Sequence, residues 1–149
     1  MANQSLPMPV SPTRAAALGD AAALAARLML AWLFVAEGYG KISAYADVQT
    51  YMAEFGVSAS LLPLVILTEL GGGLLVALGL LARPAALALA GFCVLAALIF
   101  HRGGGYDETL QLQKDVAIAG GFLVLAAHGA GGWSLDAWFK RRRAASGLG

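Results

Sequence analysis

Charged residues and cysteine are both scarce in this sequence. Only 13% of its 149 residues are Asp, Glu, Lys or Arg, about half the share of roughly 25% that is usual in a soluble domain. Cys93 is the only cysteine, which excludes an intrachain disulfide framework, a C-x-x-C redox pair and a cysteine-based zinc cluster. The net charge is +1 and the basic residues are scattered except near the C-terminus, so nothing indicates a nucleic-acid partner.

Apolar residues take the place of the missing charges. They make up 59% of the chain and are concentrated in four runs. These runs predict membrane spans at about residues 20–41, 61–81, 85–101 and 114–129, because about 20 apolar residues cross a bilayer as a helix. The predicted fold class is therefore all-α, an integral membrane four-helix bundle formed by residues 19–131. Residues 1–18, which hold three prolines, are expected to be a flexible tail on the cytoplasmic side.

Two stretches outside the spans are candidates for short interfacial helices. Residues 42–60 mix aromatic and acidic side chains, and an amphipathic helix on the membrane surface and a solvated loop explain them equally well. Residues 132–149 contain a candidate N-cap, Ser134, with Asp136 in the first turn, followed by the cations Lys140 to Arg143. Directly after a membrane span, such a basic segment is best interpreted as a topological anchor near anionic lipid.

The first span carries three charged residues on one stripe. Arg27, Glu37 and Lys41 fall within about a third of the helix circumference at 100° per residue. A charge at the bilayer centre costs roughly 2.5–3.5 kcal/mol on insertion scales, so such residues normally face protein or water. We therefore expect the other spans to cover this stripe.

The intramembrane charges allow two interpretations. Arg27 and Glu69 are predicted at comparable depth, so they could form a neutralising ion pair that fixes the helix register, and Glu37 and Lys41 have the i, i+4 spacing of a helical ion pair. In the second interpretation, several of these side chains converge as a polar pocket in the outer leaflet: Glu37, Lys41, Glu69, His101 and Lys114. Such a pocket could hold a quinone headgroup or relay protons.

Glycines mark the surfaces on which helices are expected to pack. Gly72, Gly73 and Gly79 share one side of the second span, and Gly121 lies on one face of the fourth.

The sequence contains no catalytic motif, metal cluster or nucleotide fingerprint. His101 and His128 lie at opposite ends of their spans, so one chain cannot clamp a haem between them.

The distribution of Lys and Arg predicts the orientation. One side of the membrane would hold the N-tail, the turn at Arg83 and the C-tail with its four cations, whereas the other side would hold Lys41, Arg102 and Lys114 among several acidic residues. The positive-inside rule then places both termini in the cytoplasm.

Three segments give the chain a family resemblance. They are the pattern of Arg27, Phe34, Gly38 and Lys41, the run ELGGGLLVALGLLARPAAL from Glu69 to Leu87, and QKDVAIAGGFLVLAAHGAGGWSLD from Gln113 to Asp136. In this order and spacing they resemble the DoxX family of small bacterial membrane proteins. Asp115 departs from the resemblance, since an asparagine is expected after the lysine that opens the last span. The resemblance implies a multi-pass protein of the bacterial inner membrane, linked to sulfur-compound oxidation, quinone-coupled electron transfer or oxidative-stress assemblies.

Three functional hypotheses follow from the residues and the resemblance. The first is a non-catalytic accessory or anchoring subunit of a membrane redox complex, bound to other membrane or periplasmic redox subunits and to membrane lipids. The second is a quinone-binding component of an oxidoreductase, with no intrinsic cofactor and with electrons supplied by a partner. The third is a transporter of small molecules or lipids, against which the absence of a clear internal repeat counts. Whether the chain is an enzyme subunit and whether it forms a homo-oligomer are left open.

Overall fold

A computed structural model describes residues 14–146, and within this range the regular structure is helical. The elements are α1 (Arg14–Ser43), α2 (Tyr45–Glu54), a 3₁₀ turn (Ala59–Leu61), α3 (Leu62–Ile66), a π-helical segment (Leu67–Gly71), α4 (Gly72–Leu78), α5 (Ala82–Phe100), α6 (Tyr106–His128) and α7 (Leu135–Ala145). The predicted tail falls outside the described residues for positions 1–13. Its remaining part, residues 14–18, belongs to the first turns of α1.

Four helical stretches are long and apolar enough to cross a membrane. They are Arg14–Ser43, Ala59–Leu78, Ala82–Phe100 and Tyr106–His128, and at 1.5 Å per residue each reaches close to or beyond the roughly 30 Å of a hydrocarbon core. We call the second stretch, Ala59–Leu78, span two. The predicted all-α class with four spans is confirmed.

The fourth span begins earlier than its apolar run suggests. Helix α6 starts at Tyr106 rather than near Lys114, because the polar residues before the apolar run suit a helix N-terminus. Asp107 and Glu108 lie in the first turn, where carboxylates interact favourably with the helix dipole. The backbone N–H of Thr109 also donates to the carbonyl of Gly105 at 2.9 Å.

Span two is not a uniform α-helix. It starts with a 3₁₀ turn, has Pro63 in the first turn of α3, and passes through the π-helical segment Leu67–Gly71 before it continues as α4. A π-helical turn inserts an extra residue into the helix and so redirects the side chains that it carries. Glu69 is the buried residue of this π-helical segment.

Span two lies between α1 and α5, and α5 also packs along α6. The core is formed by alanines and a few large side chains, among them Phe34 of α1 and Phe122 of α6, whose rings meet edge to face with centroids 5.2 Å apart.

Glycines permit the close helix contacts. A Cβ at Gly73 would lie 3.3 Å from the carbonyl oxygen of Ala31, and one at Gly72 would lie 3.1 Å from the Leu89 side chain. Gly121 has only ordinary contact with Leu30.

The two ends of the bundle carry different short helices. Helix α2 lies at one end, where Tyr51 stacks on Phe100 of α5 with ring centroids 5.5 Å apart and Met52 is buried. Of the two predictions for residues 42–60, the helix is therefore the one observed. Helix α7 lies at the opposite end, where Ser134 is its N-cap and accepts a hydrogen bond from the backbone N–H of Ala137 at 3.2 Å. We refer to these as the α2 end and the α7 end.

Candidate functional site

A cavity of about 1020 Å³ lies at the α2 end of the bundle. Its walls come from the second half of α1, the first half of span two, α5 and the start of α6, and α2 covers it with Val48, Tyr51 and Met52. Most of the lining side chains are apolar. Burial, together with the carboxylates of Glu108 and Glu54, raises the pKa of Tyr51.

The charged residues predicted to converge do line this one cavity. They are Glu37, Lys41, Glu69, His101 and Lys114, contributed by α1, span two, α5 and α6. The structure therefore brings together side chains that are up to 77 residues apart in the sequence. Arg27 is absent from the cavity wall.

Lys41 and Glu69 form the buried part of the polar wall. The Nζ of Lys41 lies 3.0 Å from Oε2 of Glu69 and 3.2 Å from Oε2 of Glu37. Glu69 is only 4% exposed, whereas the Glu37 side chain is largely exposed. The predicted i, i+4 pair is thus present, but Lys41 also neutralises a carboxylate on the neighbouring span.

Gly38 allows this cross-helix pair to form. A Cβ at Gly38 would lie 2.9 Å from the backbone nitrogen of Leu70 and 3.3 Å from the Cβ of Glu69. Only a residue without a side chain lets the two backbones approach this closely. Gly38 therefore sets the distance at which Lys41, one helical turn further along α1, reaches Glu69.

The expected ion pair between Arg27 and Glu69 is wrong. Glu69 packs beside Gly38, whereas Arg27 lies 11 residues earlier in α1, about 16 Å away at 1.5 Å per residue. The Arg27 guanidinium is 1% exposed and donates from Nη2 to the carbonyl of Trp133 at 2.6 Å. Its Nη1 makes longer hydrogen bonds to the carbonyls of Val76 and Ala77, at 3.4 and 3.3 Å. Within residues 14–146, no carboxylate oxygen lies within 4.0 Å of it.

These carbonyls explain why a cation is tolerated in that position. Val76 and Ala77 lie in the last turn of α4, where the helix dipole is negative and carbonyls are less fully paired than in the helix interior. The carbonyl of Val76 also accepts a hydrogen bond from the backbone N–H of Gly79 at 3.1 Å. Gly79 follows with φ +63°, and a Cβ there would collide with Nη1 of Arg27 and lie 2.5 Å from the Cβ of Ser134. Gly79 is therefore a helix C-cap that makes room for the guanidinium.

Asp136 completes the α7 end of the bundle. Its carboxylate accepts hydrogen bonds from the backbone N–H groups of Leu81 at 2.9 Å and Ala82 at 3.0 Å, at the start of α5. The sequence placed Asp136 in the first turn of its own helix, which is correct, but gave no sign of this contact with α5. Arg27 and Asp136 thus hold α7 against the bundle, far from the cavity.

His101 lies between two carboxylates of α6. Its Nδ1 is 2.9 Å from Oε2 of Glu108, and its Nε2 is 3.8 Å from Oδ2 of Asp115. Asp115 lines the cavity and Glu108 is more exposed, so the histidine connects the cavity wall to the surface. Sequence reasoning missed Asp115 as a site residue, although a carboxylate at the start of an apolar span was a sufficient signal.

Lys114 and Cys93 also line the cavity. The Nζ of Lys114 donates to the side-chain oxygen of Gln111 at 3.0 Å, and both residues are exposed at the rim. Cys93 is buried in the cavity wall. Among the described residues, no group of three or more His, Cys, Asp or Glu side chains is arranged to hold a metal ion.

The cavity opens sideways between α3 and α5. Leu64 of α3 and Leu95 of α5 both line it, yet they are 59% and 60% exposed. Gly91 of α5 also lines it, and a Cβ there would meet nothing within 4 Å. Since both helices lie in candidate membrane spans, we infer that the cavity is open to lipid on this side.

The fold and the site define a small four-span membrane protein with a cavity that is polar on one wall. Comparison with known proteins gives the family: the DoxX family model matches residues 22–102, and the chain belongs to that family. It is 43% identical over 126 residues to the inner membrane protein YqjF of Escherichia coli K12, covering 84% of this chain and 97% of that one. It is 31% identical over 123 residues to the inner membrane protein YphA of the same strain, covering 76% and 86% respectively. No solved structure matches the chain.

Proposed function

We propose that this protein binds a lipophilic molecule of the quinone class from the outer leaflet of the bacterial inner membrane. The observation that carries the proposal is the cavity of about 1020 Å³ with apolar walls and the buried Lys41–Glu69 pair on one side. Ligand sites of this kind are concave and mostly apolar, with a few convergent polar groups, and have volumes of roughly 300–1,000 Å³. The cavity is at the upper end of that range, which suits a ring with part of a chain.

The opening between α3 and α5 supports a ligand with a long apolar chain. Leu64, Gly91 and Leu95 line the cavity and border the lipid at the same time. A headgroup lying against Lys41 and Glu69 would leave its chain room to pass between the two helices into the surrounding acyl chains. A ligand dissolved in the membrane could therefore reach the site without crossing water.

The polar wall offers both kinds of hydrogen-bonding group. Lys41, Lys114 and His101 carry donors for carbonyl oxygens, while Glu69 and Asp115 carry acceptors. A bound quinone would supply two-electron, two-proton carriage. This chain would contribute binding, orientation and a proton connection to the surface through His101 and Glu108, which are 2.9 Å apart.

The distribution of cations supports an outward-facing cavity. Arg14, Arg83 and the four cations Lys140 to Arg143 belong to the α7 end, whereas Lys41, Arg102 and Lys114 belong to the α2 end. The positive-inside rule assigns the richer end, with both termini, to the cytoplasm. The cavity would then lie in the outer leaflet.

The hypothesis of an accessory subunit takes a more specific form with this cavity. The chain would serve a membrane redox complex by holding the lipophile, and a partner would supply the electrons. A subunit that only anchors a complex does not require a cavity with a buried ion pair. Burying charges is costly, so the pair favours a role in binding. The transporter hypothesis stays a prediction that no feature of the described residues favours.

The proposal is tested by binding to the full chain in lipid nanodiscs. A benzoquinone with a ten-carbon chain should bind saturably, and Gly91→Leu should weaken binding at least about tenfold by filling the opening, a loss of about 1.4 kcal/mol. Gly120→Leu is the matched control, because Gly120 is also a helical glycine with nothing within 4 Å of its Cβ position but does not line the cavity. Binding that is absent, or equally affected by both substitutions, would contradict the proposal.

A further inference from the structure

Helix α7 carries four consecutive cations, Lys140 to Arg143, all of them exposed. Among residues 14–146, no carboxylate oxygen lies within 4.0 Å of any of the four. Asp136, the acidic residue of the same helix, has the i, i+4 spacing that would pair it with Lys140. Its carboxylate instead accepts the backbone N–H groups of Leu81 and Ala82. The positive charge of α7 is therefore available to a partner outside the chain.

Asp136 also limits the distance between these cations and the hydrocarbon core. Its hydrogen bonds join the start of α7 to the turn between span two, which ends at Leu78, and α5, which begins at Ala82. Arg143 is seven residues beyond Asp136, about 10 Å along the helix at 1.5 Å per residue. The headgroup layer is roughly 5–8 Å thick on each side of a bilayer, and a long arginine side chain makes up the difference. The cations of α7 thus reach the lipid headgroups whichever direction the helix takes.

Exposed aromatic rings mark the same depth. Trp133 precedes α7, Trp138 and Phe139 belong to it, and their side chains are 53%, 39% and 43% exposed. The rings of Trp138 and Phe139 also pack on each other, with centroids 4.8 Å apart. Tryptophan is enriched where a membrane meets water, and a helix that presents such rings beside cations is typical of binding to an anionic bilayer surface.

One face of α7 combines both kinds of side chain in a notch of about 460 Å³. The notch is lined by Phe139, Arg142, Arg143, Ala145 and Ser146. Lys140 and Arg141 do not line it. Guanidinium groups offer phosphate oxygens charged donors in a planar, bidentate arrangement. Beside them, the ring of Phe139 and the methyl group of Ala145 provide an apolar surface, so the notch matches a group that is anionic at one end and apolar at the other.

Trp138 holds one of the two guanidinium groups in place. The Cζ of Arg142 lies 4.3 Å from the centroid of the Trp138 ring, which is a cation–π contact. The donors of a stacked guanidinium lie in its own plane, so the contact leaves them free to bind an anion. A side chain that is ordered before binding loses less conformational entropy when the ligand arrives.

We propose that this notch binds the headgroup of an anionic phospholipid, with Arg142 and Arg143 on the phosphate and Phe139 against the glycerol and the first acyl carbons. A topological anchor requires only positive charge near the membrane, which Lys140 and Arg141 supply as well. A headgroup site requires the two arginines that share the notch with an apolar surface. The notch and the cavity lie at opposite ends of the bundle, so lipid binding at α7 does not depend on what the cavity holds.

The test measures which lipid lies next to Trp138. Trp32→Phe with Trp133→Phe leaves Trp138 as the only tryptophan. Phosphatidylglycerol with brominated chains, titrated into phosphatidylcholine nanodiscs that hold the full chain, quenches tryptophan fluorescence on contact. The quenching curve, normalised to unbrominated lipid, gives the affinity for phosphatidylglycerol relative to phosphatidylcholine, and this preference should be at least about tenfold.

Trp32 provides the control for ordinary lipid contact. It is 75% exposed on α1, within a candidate span. With Trp133→Phe and Trp138→Phe, Trp32 is the only tryptophan, and lipids that merely surround the bundle should then show a preference below about twofold. An equal preference at Trp32 and Trp138 would overturn the headgroup site.

Two double variants with the same change of charge separate a headgroup site from diffuse attraction. Arg142→Gln with Arg143→Gln should lower the preference at Trp138 at least about fivefold, whereas Lys140→Gln with Arg141→Gln should lower it less than about twofold. All four side chains are exposed, so neither variant disturbs the core. Equal reductions by the two variants would show diffuse attraction and overturn the site.

Free inorganic phosphate distinguishes a lipid site from a site for any phosphate. Added at constant ionic strength, it should leave the preference at Trp138 unchanged, because it lacks the apolar part that contacts Phe139. Loss of the preference on addition of phosphate would contradict the assignment to a phospholipid.

Discussion

Arg27 and Trp133 are joined across 106 residues of sequence by a hydrogen bond of 2.6 Å from Nη2 of the guanidinium to the tryptophan carbonyl. The same guanidinium reaches the last turn of α4 through Nη1. One buried cation of α1 therefore fixes both the end of span two and the segment that leads into α7. Backbone carbonyls at a helix C-terminus provide negative potential beside the guanidinium.

Replacing Arg27 should loosen the α7 end without altering the cavity. Arg27→Met removes three hydrogen bonds and takes this donor away from the carbonyls of Ala77 and Trp133, so we expect the free energy of unfolding to fall by about 3 kcal/mol. Equilibrium unfolding in mixed detergent micelles measures this change. Trypsin should also cleave faster between Lys140 and Arg143, because Trp133 no longer holds α7 in place.

Arg14→Met is the control for this substitution. Arg14 is exposed in the first turn of α1, so the change should alter the free energy of unfolding by less than about 0.5 kcal/mol. Equal destabilisation by the two variants, or unchanged proteolysis in Arg27→Met, would contradict the role assigned to Arg27.

Gly79 should not tolerate a side chain. Gly79→Ala places a Cβ against Arg27 and Ser134 at a backbone φ of +63°, so both steric overlap and backbone strain oppose it. We expect a loss of at least about 2 kcal/mol in the free energy of unfolding. Gly120→Ala, a helical position with open space around it, should be neutral or slightly stabilising, and a comparable loss there would show that the effect is not specific to Gly79.

The Lys41–Glu69 pair should show strong energetic coupling. Lys41→Met leaves the buried Glu69 carboxylate without its countercharge, which typically costs about 3–5 kcal/mol. Adding Glu69→Met should recover most of this loss, because the double variant replaces the pair by apolar side chains. Unfolding measurements on the two single variants and the double variant give the coupling energy.

Lys114→Met provides the comparison for that cycle. Lys114 is exposed and donates to Gln111 only, so its replacement should change the free energy of unfolding by less than about 1 kcal/mol. Additive effects of the Lys41 and Glu69 substitutions would mean that the two side chains do not form a pair in the membrane.

The orientation can be tested by labelling cysteines in a Cys93→Ala background. Tyr106→Cys lies at the α2 end and is highly exposed, whereas Ser146→Cys follows α7. A membrane-impermeant maleimide should label Tyr106→Cys in intact spheroplasts and Ser146→Cys only after permeabilisation, since the α7 end carries more cations. The reverse labelling pattern would place the cavity in the inner leaflet.

The sequence predicted the features that depend on local pattern. Four apolar runs predicted four spans, the spacing of Glu37 and Lys41 predicted their ion pair, and Ser134 predicted the start of α7. Helical periodicity also placed Lys41 on the stripe that the structure turns towards the cavity. Each of these follows from residues that are close in the sequence, where helix geometry alone fixes the relation.

The features that sequence reasoning missed depend on backbone groups and on helix shifts. Arg27 binds carbonyls, which every residue has, so no residue type revealed its partners. Asp136 binds the N–H groups at the start of α5 for the same reason. Glu69 meets Lys41 because Gly38 sets the helix contact and a π-helical turn redirects the carboxylate, and neither effect is visible in a pattern of hydrophobicity.

The central claim is that a lipophile occupies the cavity with its headgroup beside Lys41 and Glu69. The most direct measurement is photocrosslinking of a quinone that carries a diazirine on the ring, followed by peptide mass spectrometry of the nanodisc-embedded protein. We expect labels on the second half of α1 near Lys41 and on the middle of span two near Glu69, competed by unlabelled quinone and reduced in Gly91→Leu. Labels confined to the lipid-facing surface at the α7 end, or labels that excess quinone does not displace, would contradict it.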